Sequence, residues 1–366
     1  MTRQNGQRGL FWLALVPRDT VLIRDGRSFD AAADTTALTV RPWPSTVAGA
    51  VAAAFGAEPG ATPDTAPGTV PDEVRGPVLG HSAGEEWEPY FPVPADLVQE
   101  AEGDKPYALR LRSAAADVQT DLDEAGLRWL MPPSGTRKVK PLSGWMPGRR
   151  LTEYLAGDFP PGDQGIPASD LGLADPLWPE LRVGLAREPS RQARTGFLYQ
   201  ATHWRLEEEW GFLAGCVLGD GWDRTAAGPV QFGGRGRMAD VEAAGKMSWP
   251  GMPDEFPGGR VLVYLATPAL WPDGWRIPVP PDDARLAGAA TGEPEPVATI
   301  TPGRNWQATR ALRWAVPAGS VYLLEFDDEA RARKWAAANH GTAYGRDAGD
   351  PLRTAGFGVV LTGVWR

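Results

Sequence analysis

Residues 10–16 form an unbroken apolar run, Leu-Phe-Trp-Leu-Ala-Leu-Val, which predicts a strand buried on both faces. Behind Pro44-Ser45-Thr46, the apolar residues Val47, Val51 and Phe55 recur at i, i+4 and i+8. That spacing predicts an amphipathic helix, capped by Ser45 or Thr46 and ended by Gly56. Sustained periodicity is then lost. Residues 57–80 are rich in Pro, Ala, Gly, Thr and Asp, and residues 81–180 carry only short strand-like pieces such as 107–112. The whole of 57–180 reads as one large Pro-rich insertion.

Regular patterning resumes near Leu181, with strands predicted at 182–186, 196–206 and 211–218. Phe197, Tyr199 and Trp204 alternate there with polar neighbours. Residues 228–242 carry a glycine-rich loop and then a short strand. Residues 261–265 form a further strand, closed by Thr267-Pro268, and 281–296 read as a polar loop. Strands at 309–316 and 320–326 flank the turn Pro317-Ala318-Gly319. A helix over 327–339 follows, with acids first and Arg331, Arg333 and Lys334 later, as the helix dipole favours. Residues 357–365 make the last strand. Strand–helix–strands–helix–strand occurs twice, the first time interrupted. The expectation is an α+β chain of two ferredoxin-like (RRM-like) βαββαβ units, 1–255 and 256–366, with the insertion in the first.

The length of 366 residues accommodates two such units. Gly (44) and Pro (36) are abundant, and Arg far outnumbers Lys, a bias that GC-rich coding produces by itself. The net charge of −9 argues against a free-standing, non-specific nucleic-acid binder, which would be basic. It leaves room for a local basic groove, because affinity follows local phosphate contacts. The one cysteine, Cys216, excludes an internal disulfide and a cysteine metal site, and fits a reducing cytoplasm. The first apolar run is too short for a signal peptide or a membrane span, so no membrane role is expected. No cofactor motif is present.

The segment that carries most chemistry is 16–29, Val-Pro-Arg-Asp-Thr-Val-Leu-Ile-Arg-Asp-Gly-Arg-Ser-Phe. Arg18, Arg24 and Arg27 leave one strand end beside Asp19 and Asp25, which suits a bidentate grip on phosphate. The same residues would also tie a tight loop by surface ion pairs. Arg187, Arg191 and Arg194 lie between two predicted strands, a plausible phosphate edge or a solvated hairpin. Gly233-Gly234-Arg235-Gly236-Arg237 offers backbone N–H groups and charge, or simply a tight turn. It ends in neither a nucleotide-triphosphatase nor a dinucleotide signature. Residues 131–150 combine basic residues, among them Lys138 and Lys140, with Trp145, beside Trp129. That mixture suits single-stranded nucleic acid or a surface loop. Gly356-Phe357-Gly358 offers close backbone approach or a bulged strand. His203 stands as a possible general base, and Cys216 as a buried hydrophobe.

In their order along the chain these motifs resemble one family. They include Pro17-Arg18-Asp19 with Arg24-Asp25-Gly26-Arg27-Ser28-Phe29, and Pro42-Trp43-Pro44-Ser45-Thr46. They include Arg182-Val183-Gly184-Leu185-Ala186 followed by Thr195-Gly196-Phe197, and Phe232-Gly233-Gly234 with Arg237. Val316-Pro317-Ala318-Gly319-Ser320-Val321-Tyr322 and Ala355-Gly356-Phe357-Gly358 complete the set. The chain is similar to the third subunit of the Cmr (type III-B) CRISPR effector, a family of the RAMP superfamily of RNA-binding proteins. The insertion matches poorly. The resemblance implies two ferredoxin-like RAMP domains in a non-catalytic subunit, without cofactor or metal, that is not a homo-oligomer. It implies a grip on the 5′ tag of CRISPR RNA and docking on the large palm-domain, polymerase-like subunit and the adjacent backbone RAMP subunit. Arg18, Arg24, Arg27 and Ser28 would then lie near the tag. Arg187, Arg191, Arg194, Arg235 and Arg237 would contact phosphates, Gly233, Gly234, Gly356 and Gly358 would let the backbone approach, and Lys138, Lys140 and Phe357 would belong to the same RNA-binding set. Two alternatives remain open: a CRISPR RNA-processing endonuclease of the same superfamily using His203 or Tyr199, and an assembly subunit that never touches RNA.

Overall fold

A computed structural model of the chain describes residues 10–23, 39–84, 86–102, 106–112, 126–132, 138–158, 175–219, 222, 224–245, 247–279, 284–300 and 310–365. Arg24, Arg27 and Ser28 lie outside the described residues.

In chain order the first elements are β1 (Leu10–Pro17), β2 (Thr20–Val21), α1 (Pro44–Ala54), β3 (Glu73–Ala83), β4 (Glu86–Pro92) and β5 (Leu97–Glu100). Then come β6 (Pro106–Ala108), β7 (Arg110–Arg112), β8 (Trp129–Met131), β9 (Val139–Pro141), β10 (Trp145–Pro147) and α2 (Gly148–Leu155). β11 (Leu177–Arg187), β12 (Ala193–Leu206), β13 (Trp210–Val217), β14 (Val230–Gln231) and β15 (Met238–Ala243) follow. The last stretch holds β16 (Arg260–Leu265), β17 (Ala284–Ala290), β18 (Glu295–Ile300), β19 (Arg310–Ala315), β20 (Val321–Phe326), α3 (Glu329–Asn339), β21 (Thr342–Ala343), α4 (Pro351–Thr354) and β22 (Val359–Val364).

Two antiparallel sheets dominate this α+β architecture. One runs β10-β4-β3-β13-β1-β15-β14, the other β17-β20-β16-β22-β21. The inner strands β1 and β16 are buried on both faces over most of their length, which is why they read as continuous apolar runs. In β1, Leu13 and Leu15 pack with Val47 and Val51 of α1, while Trp12 and Ala14 face the opposite cluster. That cluster joins the sheets: it also holds Leu151 and Leu155 of α2 and Leu262, Tyr264 and Leu361 of the second sheet. On the far side, Val261, Val263 and Leu265 pack against Ala332 and Ala336 of α3. The layers are therefore α1, first sheet, α2 with the shared core, second sheet, α3.

Several expectations are corrected. Residues 73–92 are no insertion: β3 and β4 belong to the first sheet, β3 directly beside β13. The strand was hidden because glycine does its packing. A Cβ on Gly80 would stand 2.6 Å from the Leu213 side chain, so the apolar period is broken where the two strands pack closely. Residues 281–296 are not simply loop, since β17 and the start of β18 occupy them. β17 is an Ala- and Gly-rich edge strand with little intrinsic β signal. β19 and β20 flank a turn without pairing: β19 pairs with β18, and β20 with β16 and β17. The first residue outside α1 is Trp43, with Pro44 at the first helical position and no side-chain cap, so neither Ser45 nor Thr46 caps it.

A candidate nucleic-acid interface around Asp19

The two-residue link between β1 and β2 carries Arg18 and Asp19. β2 is the edge of a separate sheet of order β11-β12-β2, with Thr20 opposite Arg205 and Val21 opposite Trp204. In the β11–β12 pairing Glu180 faces His203 and Arg182 faces Ala201. Directly opposed residues share a face, so Thr20, Glu180, Arg182, His203 and Arg205 all project to one side. The β14–β15 connection completes the site. Gly234 N–H donates to the Leu22 carbonyl at 2.7 Å and Phe232 N–H to the Arg237 carbonyl at 2.7 Å. Gly233 has φ +94°, and a Cβ there would stand 2.8 Å from the Leu22 oxygen. Only glycine lets this loop lie on the end of β2 and bring Arg237 to Asp19.

Three guanidiniums converge on the Asp19 carboxylate. Arg182 Nη2 donates to both oxygens at 3.0 Å, Arg205 Nη2 to one at 3.0 Å, and Arg237 Nη1 to the other. Glu180 braces the same pair from behind, accepting from Arg182 Nε at 2.7 Å and Arg205 Nε at 2.6 Å. Arg18 turns away and forks onto Asp240, with Nη2 at 2.7 Å. Burial works against ionisation of Asp19, but the hydrogen bonds and charge of Arg182, with Arg205 and Arg237, outweigh it and hold the carboxyl below its usual range. Hydrogen bonds from Arg205 and Arg182 do the same for Glu180. Among the described residues, four guanidiniums, counting Arg18, stand against Asp19, Glu180 and Asp240, so this cluster is locally positive on a chain of net charge −9. Arg237 Nε is buried with no acceptor among the described residues. Such forks are preset for a planar, bidentate exchange of carboxylate for phosphate oxygens.

His203 lies beneath this layer, 2% exposed, with Nδ1 2.8 Å from Thr20 Oγ1. Burial, and then the charges of Arg237 and Arg182, lower its pKa against the opposing pull of Glu180. The Tyr199 side chain lies outside the described residues. Cys216 is fully buried, its thiol pushed far up by burial. Among the described residues no group of three or more His, Cys, Asp or Glu is placed to hold a metal ion.

Of the residues predicted from sequence, Arg18, Gly233, Gly234, Arg235 and Arg237 are brought together here. Arg182 and Arg205 were not predicted, because a charge inside a strand carries no local motif. Their signal was the alternation of Glu180 and Arg182 with Leu181, Val183 and Leu185 on the other face. Arg187, Arg191 and Arg194 lie at or near the hairpin tip, Arg187 about 17 Å beyond Arg182 along β11 at 3.3 Å per residue. Lys138 and Lys140 sit at β9 in a small sheet with β5 and β6, remote in topology from the cluster. Trp145 is buried, while Arg149 and Arg150 are paired with Glu88 and Glu153. Gly356, Phe357 and Gly358 are buried. A Cβ on Gly356 would stand 2.4 Å from the Val74 oxygen, and one on Gly358 3.1 Å from the Tyr344 oxygen. The close approach these glycines permit is to this chain's own backbone.

Fold and site together define an α+β protein of two antiparallel sheets with an anion-receptive, carboxylate-braced arginine surface. The family model of the CRISPR-associated Cas_Cmr3 proteins matches residues 13–365, and the chain belongs to that family. A chain in the cryo-EM structure of the type III-B Cmr-beta bound to cognate target RNA and AMPPnP superposes with a TM-score of 0.51 at 15% identity, over 85% of this chain and 86% of that one. In the structure of Cmr-beta bound to cognate target RNA the values are 0.48 and 14%, with the same coverage. A chain of the Csm3–Csm4 subcomplex of the type III-A interference complex gives 0.38 at 8% identity, over 87% of this chain and 94% of that one. No curated protein sequence matches the chain. Among the described residues no helix is long and apolar enough to cross a membrane.

Proposed function

We propose that this chain is a non-catalytic, RNA-gripping subunit of a cytoplasmic type III-B CRISPR effector. It holds the 5′ tag of CRISPR RNA, docks on the large palm-domain subunit and contacts the neighbouring backbone RAMP subunit. The observation that carries this reading is the convergence of three sequence-distant segments on Asp19, which builds a positive, glycine-floored patch on an acidic protein. Phosphates positioned there leave the bases of a single strand free to be read.

Two ferredoxin-like units fit the strand order. β15-β1-β13-β3 and β22-β16-β20-β17 are each fourth-first-third-second in chain order. α1 and α3 serve as one helix of each unit, and the β14 region replaces the second helix of the first. A non-catalytic role is supported by His203, which is buried and committed to Thr20 and so is poorly placed to take a proton from RNA.

The test is co-expression with the genomic neighbours, ultraviolet crosslinking and sequencing of the attached RNA. Reads sharing one 5′ tag, with adducts at residues 232–237, and recovery reduced by the double change Arg205→Ala/Arg237→Ala, are expected. Random RNA, or none in an intact complex, overturns the tag role. RNA cleavage that His203→Gln abolishes would establish the endonuclease instead.

A further inference from the structure

Trp204 projects to the face of the β11-β12-β2 sheet opposite the arginine cluster, where it walls a cleft of about 390 Å3. Trp43, at the start of α1, Tyr90 of β4 and Trp145 of β10 form further walls. The volume falls in the range of small-molecule clefts, roughly 300–1,000 Å3. The rings are held in place. Trp204 Nε1–H donates to the Thr39 carbonyl at 3.0 Å and Trp145 Nε1–H to Asp175 at 3.3 Å. Asp175 also accepts from Arg41 Nη2 at 3.0 Å, while the Arg41 guanidinium stacks over the Trp145 ring at 4.4 Å. One carboxylate thus fixes a cation and the indole beneath it.

Among the described residues, the charged side chains lining the cleft are Arg41 and Glu295. No described residue donates a hydrogen bond to the Glu295 carboxyl. Burial raises its pKa, against the pull of Arg41. A carboxyl set among aromatic rings without a donor is costly, and an occupant supplying N–H groups would relieve that cost. Flat aromatic walls select a flat occupant, and the acid beside the guanidinium selects an edge with donors next to an acceptor. Guanine is the RNA base whose Watson–Crick edge carries two adjacent N–H donors beside a carbonyl. Adenine and cytosine offer one amino group next to an acceptor, and uracil one imino group.

We propose that this cleft takes one unstacked guanine of a single-stranded RNA, with N1–H and N2–H donating to Glu295, O6 accepting from Arg41, and the ring held among Trp43, Tyr90, Trp145 and Trp204. The inference rests on the RNA-binding reading above and adds a base-reading site distinct from the arginine cluster.

The full chain is titrated with a short oligouridine RNA and with the same RNA bearing one central guanosine, then crosslinked to the version carrying 8-azidoguanosine and mapped by mass spectrometry. Adducts on the four cleft rings are expected, with about tenfold tighter binding of the guanosine RNA, the scale of one good bidentate base contact. Glu295→Gln, nearly isosteric, removes that preference by weakening the guanosine RNA selectively. Adducts confined elsewhere, or equal weakening of both RNAs by Glu295→Gln, overturn the proposal. Guanosine monophosphate binding as tightly as the RNA overturns RNA as the source of the base. Salt-sensitive binding of both RNAs without guanosine preference sinks the cleft alone, whereas no binding of either RNA sinks the RNA-binding reading with it.

Discussion

Gly356→Ala separates two roles for the C-terminal glycine loop. Gly356 has φ +95°, and its added Cβ would stand 2.4 Å from the Val74 oxygen and 3.2 Å from the Gly76 oxygen, both on β3. The left-handed backbone alone costs an L-residue about 1–2 kcal/mol. Relieving the clash requires lifting the loop off β3, and Thr267 is then disturbed. Its Oγ1 donates to the Gly356 carbonyl at 2.6 Å and accepts from Val359 N–H at 2.9 Å, both buried. Loss of one such buried bond costs about 1–3 kcal/mol. The expected destabilisation is therefore about 2–5 kcal/mol. Gly349→Ala is the control: φ is +87° but no atom lies within 4 Å, so only the backbone penalty of about 1–2 kcal/mol applies. Urea unfolding of the full chain, followed by near-ultraviolet circular dichroism, reads the difference. RNA affinity is measured alongside, at a temperature where both variants are folded. A Gly356→Ala protein as stable as the parent but deficient in RNA binding would refute the reasoning, because the glycine would then serve RNA rather than β3.

Asp19→Asn removes three partly exposed ion pairs, each worth about 0.2–1 kcal/mol, so a stability loss of about 0.6–3 kcal/mol is expected in urea. RNA binding at low salt should tighten, since one competing negative charge is gone; weaker binding would show that Asp19 chiefly orients the arginines. Arg205→Ala should flatten the salt dependence of RNA binding by about 0.7 in log–log slope, the value for one phosphate contact on a single strand. An unchanged slope would remove Arg205 from the interface. Gly233→Ala drives a Cβ against the Leu22 oxygen and should weaken RNA binding by displacing Arg237, with wild-type affinity counting against this loop. Burial lowers the pKa of both His203 and His340 in the folded state. The unfolded chain therefore takes up protons first, and stability should be full above about pH 6.5 and decline as pH falls below it. His203→Gln should flatten part of that decline in thermal melts, and a melting profile rising toward acid would contradict it.

What the sequence made legible, and what it did not, follows from where the information lies. β1 and β16 could be read because double-sided burial leaves an apolar run. α3 could be read because acids open it and bases follow; the structure adds that Asp328 caps it, accepting from Arg331 N–H at 2.8 Å. β3 and β17 could not, because glycine and alanine meet the neighbouring strands there, and close packing then erases the periodicity it depends on. The site divides in the same way. Arg18, Asp19, Arg235 and Arg237 sit in loops, where spacing is informative. Arg182 and Arg205 enter only through strand register, which pairs Glu180 with His203 and Arg205 with Thr20. The roles also invert: Arg18 is held by Asp240, and the centre of the patch is the acid beside it. That inversion has a physical basis. Arginines crowded together repel, and before any phosphate arrives they need an internal counter-charge to stay folded at close range. Asp19 and Glu180 supply it, so the carboxylates that hide this surface in a whole-chain charge count are the groups that allow it to form.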